Sequence, residues 1–179
     1  MIYLPQRAVF IHIPRAAGNS VTSAIASTCA GKGIDIILGT GGAIEGWKKT
    51  KRHARAIVLK EIIEEWDDIY KFAIHRSMGD RVQSVTRLIE RDVYNKVHED
   101  PTCPEAWSKV LKNEDKNYWK VFMSHTTEWY IKGNSAEDLG VEVYDFSEIN
   151  NQWHDICDKC DIPQCPLPKL NSSKQNETY

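Results

Sequence analysis

Residues 8 to 20 read Ala8-Val9-Phe10-Ile11-His12-Ile13-Pro14-Arg15-Ala16-Ala17-Gly18-Asn19-Ser20, and no other stretch says as much about the architecture. Its apolar run predicts a strand, its Pro/Gly segment predicts a tight loop, and the pattern from Ser20 onward predicts a helix. A helix that begins directly on such a loop points backbone N–H groups and the positive end of its dipole at one place. With the Arg15 guanidinium beside them, these groups predict a binding site for a phosphate or a sulfate.

The standard nucleotide-binding P-loop has a different pattern. That pattern, G-x-x-x-x-G-K-[ST], requires a second glycine and a lysine directly before the hydroxyl residue. In this stretch Gly18 is the only glycine, and Asn19 precedes Ser20. We therefore expect an anion site that differs from the site of the standard NTPases.

The rest of the chain alternates between patterns typical of strands and patterns typical of helices. Strands are predicted at 8–13, 34–38, 70–75 and 141–144, and helices at 19–30, 55–65, 81–97, 105–112, 118–131 and 147–161. Strands interleaved with helices favour an α/β fold with a central, mainly parallel sheet covered by helices. A length of 179 residues predicts a single domain over 1–179, with a partly mobile tail after about residue 171.

Composition indicates an ordinary globular protein. Hydrophobic residues make up 41% of the chain and charged residues 27%, and the net charge is −2. No apolar run approaches the roughly 20 residues that cross a bilayer. Pro5, Gln6 and Arg7 interrupt the N-terminal apolar residues, so we find no signal-peptide core. We expect a cytoplasmic protein, or the catalytic core of a longer one.

Basic residues are concentrated in one stretch, which contains Lys48, Lys49, Lys51, Arg52, Arg55 and Lys60. One interpretation is a solvated loop and helix face. The other is a positive rim that attracts an anionic cofactor or an acidic glycan. No long basic patch is interleaved with aromatic residues, so we expect no nucleic-acid partner.

Cysteines follow one another closely near the C-terminus. His154, Cys157, Cys160 and Cys165 are of the types that bind zinc. The predicted helix at 147–161, however, places Cys157 and Cys160 on its apolar face and His154 elsewhere, which favours buried thiols. We therefore expect no metal, with zinc as the alternative.

The residues from His12 to Ser20 also carry a family resemblance. They are similar to the H-I-P-K-x-A-G-T-S loop of sulfotransferases that use 3′-phosphoadenosine 5′-phosphosulfate (PAPS), notably the Golgi-type carbohydrate sulfotransferases. Arg15 stands where Lys is usual, as in the tyrosylprotein branch, and Asn19 stands where Thr is usual. In this family the loop holds the 5′-phosphosulfate. The resemblance implies that the cofactor is bound by Arg15, Ala16, Ala17, Gly18, Asn19 and Ser20.

A second segment, residues 70–84, resembles the family's F-x-x-V-R-[ND]-P-x-[DE]-R-x-x-S pattern, which binds the 3′-phosphate of PAPS. The resemblance implies that Arg76 and Ser84 bind this phosphate, although Ser77 and Met78 depart from the pattern. Residues 143–149 and 167–174 are also similar to family segments. Over nearly the whole chain, the resemblance implies a P-loop-like three-layer α/β domain.

Sulfuryl transfer needs a cation at the donor and a base at the acceptor. Arg15 is always charged, so it is expected to contact the phosphosulfate and not to act as a base. His53 lies in a segment that resembles the family's K-H segment, where several members place the catalytic base, and the alternative is an exposed loop histidine. Glu45 and His125 are the reserve candidates, and His12 is expected to brace the cofactor loop.

The sequence therefore predicts a sulfotransferase that moves the sulfuryl group of PAPS to a hydroxyl acceptor, a carbohydrate or another small molecule. Two alternatives stay open. A nucleotide or small-molecule kinase is disfavoured by the missing P-loop lysine and by the lack of a clear acidic magnesium ligand at a strand end. A non-catalytic module that binds adenosine 3′,5′-bisphosphate is the other alternative.

Overall fold

A computed structural model describes residues 1–39, 52–87 and 125–169. Of these, 1–39, 52–76 and 127–169 belong to one compact unit, and 77–87 with 125 and 126 belong to a second. All strands described below lie in the first unit. The prediction of one domain over 1–179 stays a prediction, and the predicted tail after residue 171 lies outside the described residues.

The described residues contribute five strands to one sheet, in the order β3-β1-β2-β4-β5. They are β1 (Ile2–Leu4), β2 (Ala8–Ile11), β3 (Ile37–Leu38), β4 (Tyr70–His75) and β5 (Glu142–Asp145). Strands β2, β4 and β5 are parallel, whereas β1 is antiparallel to both β2 and β3. All these strands except β1 therefore run in the same direction. The predicted α/β class with a mainly parallel sheet is confirmed.

Strand β1 was not predicted. A turn over Pro5 and Gln6 joins it to β2, with Gln6 in the left-handed region (φ 60°) and the Arg7 N–H donating to the Leu4 carbonyl at 3.0 Å. Two predicted strands are shorter than expected, because β2 ends at Ile11 and β3 consists of Ile37 and Leu38 alone.

The described helices are α1 (Gly18–Ala30), α2 (Ala56–Lys60), α3 (residues 78–87), α4 (Thr127–Ile131) and α5 (Ile149–Lys159). The predicted helix at 55–65 is too long, since the chain continues after Lys60 in hydrogen-bonded turns. The predicted helical residues 88–97, 105–112 and 118–124 lie outside the described ranges. Within those ranges, no helix is both long and apolar enough to cross a bilayer.

The core is built on β2 and β4. Every residue of β2 is buried, as are the four central residues of β4, so both strands are covered on two faces, as is typical of parallel sheets. The buried Lys71 of β4 donates through its Nζ to the Trp66 carbonyl at 2.9 Å. Phe10 and Phe72 are paired in register, with ring centroids 5.0 Å apart. This packing fixes the carboxyl ends of β2 and β4 side by side.

Helix α5 ends in a Schellman motif. The Ile162 N–H donates to the Cys157 carbonyl at 3.1 Å, and the Asp161 N–H donates to the Asp158 carbonyl at 3.0 Å. Asp161 has the left-handed conformation (φ 51°) that this motif requires. After this motif the chain bonds back to α5, because the Trp153 Nε1 donates to the Cys165 carbonyl at 2.8 Å.

Candidate functional site

The candidate site lies at the topological switch point of the sheet, where successive connections lead to opposite sides of β2. After β2 the chain passes through α1 to β3, on one side of β2, whereas β4 and β5 lie on the other side. In open α/β sheets, ligands bind outside the carboxyl ends of the strands at such a switch point. The residues that follow β2 and β4 are therefore the candidate site.

The loop between β2 and α1 has an unusual backbone. Arg15 (φ 64°) and Ala17 (φ 56°, ψ 6°) are left-handed, and Gly18 begins the helix. A left-handed residue followed by a right-handed one directs successive N–H groups toward a common point, an arrangement called a nest that binds anions. Among the described residues, the N–H groups of Ala17, Gly18 and Asn19 have no backbone acceptor. The loop therefore presents donors suited to an anion.

Arg76 links the end of β4 to this loop. Its Nη1 donates to the Arg15 carbonyl at 3.2 Å, and its guanidinium carbon lies 4.2 Å from the centroid of the Phe146 ring. The Phe146 N–H donates to the His75 carbonyl at 2.8 Å, which places Phe146 beside the end of β4. Arg76 is therefore held between the Phe146 ring and the backbone of the loop between β2 and α1.

His53 approaches the same loop from another part of the chain. Its Nδ1 is 2.9 Å from the His12 carbonyl oxygen. A carbonyl oxygen can only accept, so Nδ1 of His53 carries the hydrogen, and in the neutral ring Nε2 is the nitrogen with the lone pair. The arrangement orients a proton acceptor beside the loop.

His12 is buried beneath the loop, with 4% of its surface exposed. A Cβ on residue 18 would lie 1.7 Å from the His12 Nε2, so only glycine leaves room for this ring at the start of α1. Burial above all, with His53 and Arg15 adding to it, lowers the pKa of His12 well below its usual value of 6.5. His12 is therefore a buried packing group whose neutral form is favoured, and its role in bracing a cofactor loop stays a prediction.

The structure brings most of the predicted site residues together in the first unit. These are Arg15, Ala16, Ala17, Gly18, Asn19, Ser20, His53 and Arg76. Ser84 lies on α3 in the second unit, so the convergence of Arg76 and Ser84 on one phosphate stays a prediction.

The two reserve bases stay candidates. Glu45 lies outside the described residues. His125 belongs to the second unit, where its carbonyl accepts a hydrogen bond from Arg81 Nη1 at 2.9 Å. Of the three candidate bases, His53 is the one whose contact with the loop is described.

Sequence reasoning missed two contributors to the site. His75 ends β4, and its Nδ1 is 2.8 Å from the Thr127 Oγ1, which ties α4 to the end of that strand. Phe146 follows β5 and packs under Arg76. Both residues stand at the carboxyl end of a predicted parallel strand, and that position is the signal that could have identified them.

The metal alternative gains no support. Among the described residues, no group of three or more His, Cys, Asp and Glu side chains could hold a metal ion. The His154 side chain is 74% exposed and pairs with Asp158 at 3.0 Å, whereas Cys157 and Cys160 are buried. The expected absence of a metal stays a prediction.

Two residues of the basic stretch contact other protein groups. Arg55 Nε donates to the Trp129 carbonyl at 2.8 Å, and its guanidinium lies 4.6 Å from the Trp129 ring centroid. Lys60 pairs with Glu137 at 3.2 Å. Lys48, Lys49 and Lys51 lie outside the described residues, so both interpretations of this stretch stay open.

Comparisons with known proteins do not place the chain in a family. No protein-family model matches it, and searches of curated proteins and of solved structures find no match. Its function is therefore inferred from the site geometry and from the resemblance of the two loop sequences.

Proposed function

We propose that this chain is a PAPS-dependent sulfotransferase that acts on a hydroxyl of a carbohydrate or another small acceptor. The proposal is carried by one observation, which is that two separate segments of the chain converge on the loop between β2 and α1. Arg76 donates to the carbonyl of Arg15, and His53 donates to the carbonyl of His12. An anion nest, flanking cations and an oriented imidazole are the groups that in-line transfer of an anionic group requires.

The residues present fit the anionic groups of PAPS. The N–H groups of Ala17, Gly18 and Asn19, together with Arg15, suit the 5′-phosphosulfate. Arg76 offers a guanidinium for the 3′-phosphate, with Ser84 as its expected companion. A P-loop-like three-layer fold, a glycan acceptor and a cytoplasmic location belong to the same proposal.

Each polar residue has a distinct role in this proposal. PAPS would supply the sulfuryl group and would be released as adenosine 3′,5′-bisphosphate. Arg15 stabilises negative charge on the donor and cannot take up a proton, because a guanidinium is always charged. His53 Nε2 accepts the proton of the acceptor hydroxyl. The Nδ1–H of His53 keeps its bond to the His12 carbonyl while the ring becomes a cation, which holds the ring in place.

The test is sulfuryl transfer from labelled PAPS by the full chain across a panel of glycans, lipids and small phenols. We expect label on a hydroxyl acceptor, lost in Arg15→Ala and retained in His154→Ala, whose side chain is exposed. Arg15→Lys should keep part of the activity, because it retains the charge but not the bidentate fork. Binding of adenosine 3′,5′-bisphosphate without any transfer would favour the non-catalytic module, and phosphoryl transfer from ATP would favour a kinase.

A further inference from the structure

A cluster of thiols lies between α5, α1 and the segment 162–169. Four of the five cysteines are among the described residues, and all four are free thiols. The Sγ atoms of Cys157 and Cys165 are 4.0 Å apart, which is van der Waals contact. Burial, with Cys157, Cys29 and Cys165 adding to it, raises the pKa of Cys160, so these thiols share one neighbourhood.

Hydrogen bonds hold Cys165 opposite Cys157. Trp153 and Cys157 are four residues apart on α5 and share one face of the helix. The Trp153 Nε1 donates to the Cys165 carbonyl at 2.8 Å. The neighbouring Gln164 Nε2 donates to the His154 carbonyl at 3.1 Å and to the Asp158 Oδ1 at 2.7 Å. The backbone on both sides of the contact is therefore fixed in register.

We propose that Cys157 and Cys165 are a site of reversible oxidation, where an intramolecular disulfide ties residues 162–169 to α5. The sulfur atoms must approach to about 2.05 Å for a bond. The proposal requires rotation of the two side chains for this movement, since the hydrogen bonds of Trp153 and Gln164 already hold the two backbones together. This inference does not depend on the proposed function.

The difference in exposure between the two thiols sets the order of the reaction with oxidised glutathione. Cys165 is half-buried, whereas Cys157 is buried and its burial raises its pKa to about 12. The Cys165 thiolate attacks the glutathione disulfide, forms a mixed disulfide and releases one glutathione thiolate. Cys157 then gives its proton to solvent and attacks the Cys165 sulfur, and the second glutathione leaves. Two protein thiols are oxidised, and one glutathione disulfide is reduced to two thiols.

The test is incubation of the full chain in oxidised and reduced glutathione at rising ratios, followed by alkylation and peptide mass spectrometry. We expect a peptide pair joined through Cys157 and Cys165, a mass lower by two hydrogen atoms and reversal by dithiothreitol. The thermal midpoint should rise by a few degrees on oxidation, because the bond restricts the unfolded chain.

Variants separate this pair from the neighbouring thiols. Cys165→Ser should abolish the bond, Cys157→Ser should leave Cys165 as a glutathione mixed disulfide, and the matched control Cys29→Ser should oxidise like the natural chain. The proposal is wrong if both thiols stay open to alkylation at every ratio, or if Cys165 pairs with Cys29 or Cys103. Both outcomes are read on the natural chain, so they do not depend on a variant that folds.

Discussion

Among the single residues, His53 is the one on which turnover should depend most if it is the proposed base. Asparagine at this position keeps an N–H that can replace Nδ1 as donor to the His12 carbonyl, but it cannot accept a proton. We therefore expect both His53→Ala and His53→Asn to lower the turnover of sulfuryl transfer by about 10²–10⁴-fold. The affinity for adenosine 3′,5′-bisphosphate, measured by calorimetry, should not change.

Exposed His154 provides the matched control, since its substitution by asparagine should leave turnover unchanged. Normal turnover in His53→Asn with a loss in His53→Ala would make His53 a brace for the loop. The search for the base would then move to Glu45 or His125.

Gly18 is needed because of its contact with His12. A methyl group at this position would overlap the His12 ring, since its carbon would lie 1.7 Å from Nε2. We expect Gly18→Ala to lower the free energy of unfolding by about 1–3 kcal/mol, as overpacking does. In a His12→Ala background, Gly18→Ala should lower the free energy of unfolding by less, because the imidazole ring is absent. Urea unfolding of the four proteins measures this coupling.

Gly31 is the control for this substitution. Its φ is −70°, and a Cβ there would meet its nearest neighbour at an ordinary 3.6 Å, so Gly31→Ala should be neutral or slightly stabilising. A cost of Gly18→Ala that is unchanged in the His12→Ala background would disprove the steric explanation.

At the level of structural elements, Arg76 connects β4 to the loop before α1. Arg76→Ala removes the bond to the Arg15 carbonyl, and it also removes the cation that is proposed to bind the 3′-phosphate. The loss of one charged hydrogen bond costs about 1.5–3 kcal/mol, or about 10- to 150-fold in affinity. We expect the affinity for adenosine 3′,5′-bisphosphate to fall by at least this factor. The affinity for adenosine 5′-monophosphate should fall less, since this nucleotide lacks the 3′-phosphate.

Arg7→Ala is the matched control for charge, because Arg7 pairs with Asp161 and lies outside both the basic stretch and the two cofactor segments. It should leave both affinities nearly unchanged. Equal losses for the two nucleotides in Arg76→Ala would show that Arg76 serves only to hold the loop.

The elements with a strong local signal were the ones that sequence reasoning predicted. Strand β4 was predicted with its observed ends. Helix α1 begins one residue before its predicted start, since the Pro/Gly loop before it marks the start of the helix. Strand β1 was missed, since Ile2–Leu4 is short, buried on both faces and without alternation. Its pairing of Ile2 with Leu38 depends on a contact between distant parts of the chain.

The site residues were predictable from their types, but the contacts between them were not. The loop at residues 14–20, His53 and Arg76 each stood out in the sequence. The stacking of Arg76 on Phe146 depends on the strand order, which places β4 beside β5. The bond from His53 to the His12 carbonyl joins residues that are 41 positions apart in the chain. Strand order is a tertiary property that periodicity does not encode.

For the protein as a whole, we expect the burial of His12 to make the stability of the fold sensitive to mild acid. Its pKa in the folded state is well below 6.5, mainly because the ring is buried. Below about pH 6.5 the unfolded chain therefore binds a proton that the folded chain does not, so stability falls as the pH falls. In urea titrations between about pH 6.5 and 5, we expect His12→Gln to flatten this dependence. His154→Gln is the control. If both substitutions flatten the dependence of stability on pH equally, His12 is not the origin of that dependence.

The central claim is that the loop between β2 and α1 binds the anionic groups of PAPS. Calorimetric titration of the full chain with adenosine 3′,5′-bisphosphate, adenosine 5′-monophosphate and ATP tests it without knowledge of the acceptor. We expect adenosine 3′,5′-bisphosphate to bind most tightly, since it carries both the 5′-phosphate and the 3′-phosphate and lacks the γ-phosphate of ATP. Its affinity should fall in Arg15→Ala. Tighter binding of ATP, or no binding of any of the three, would refute the claim.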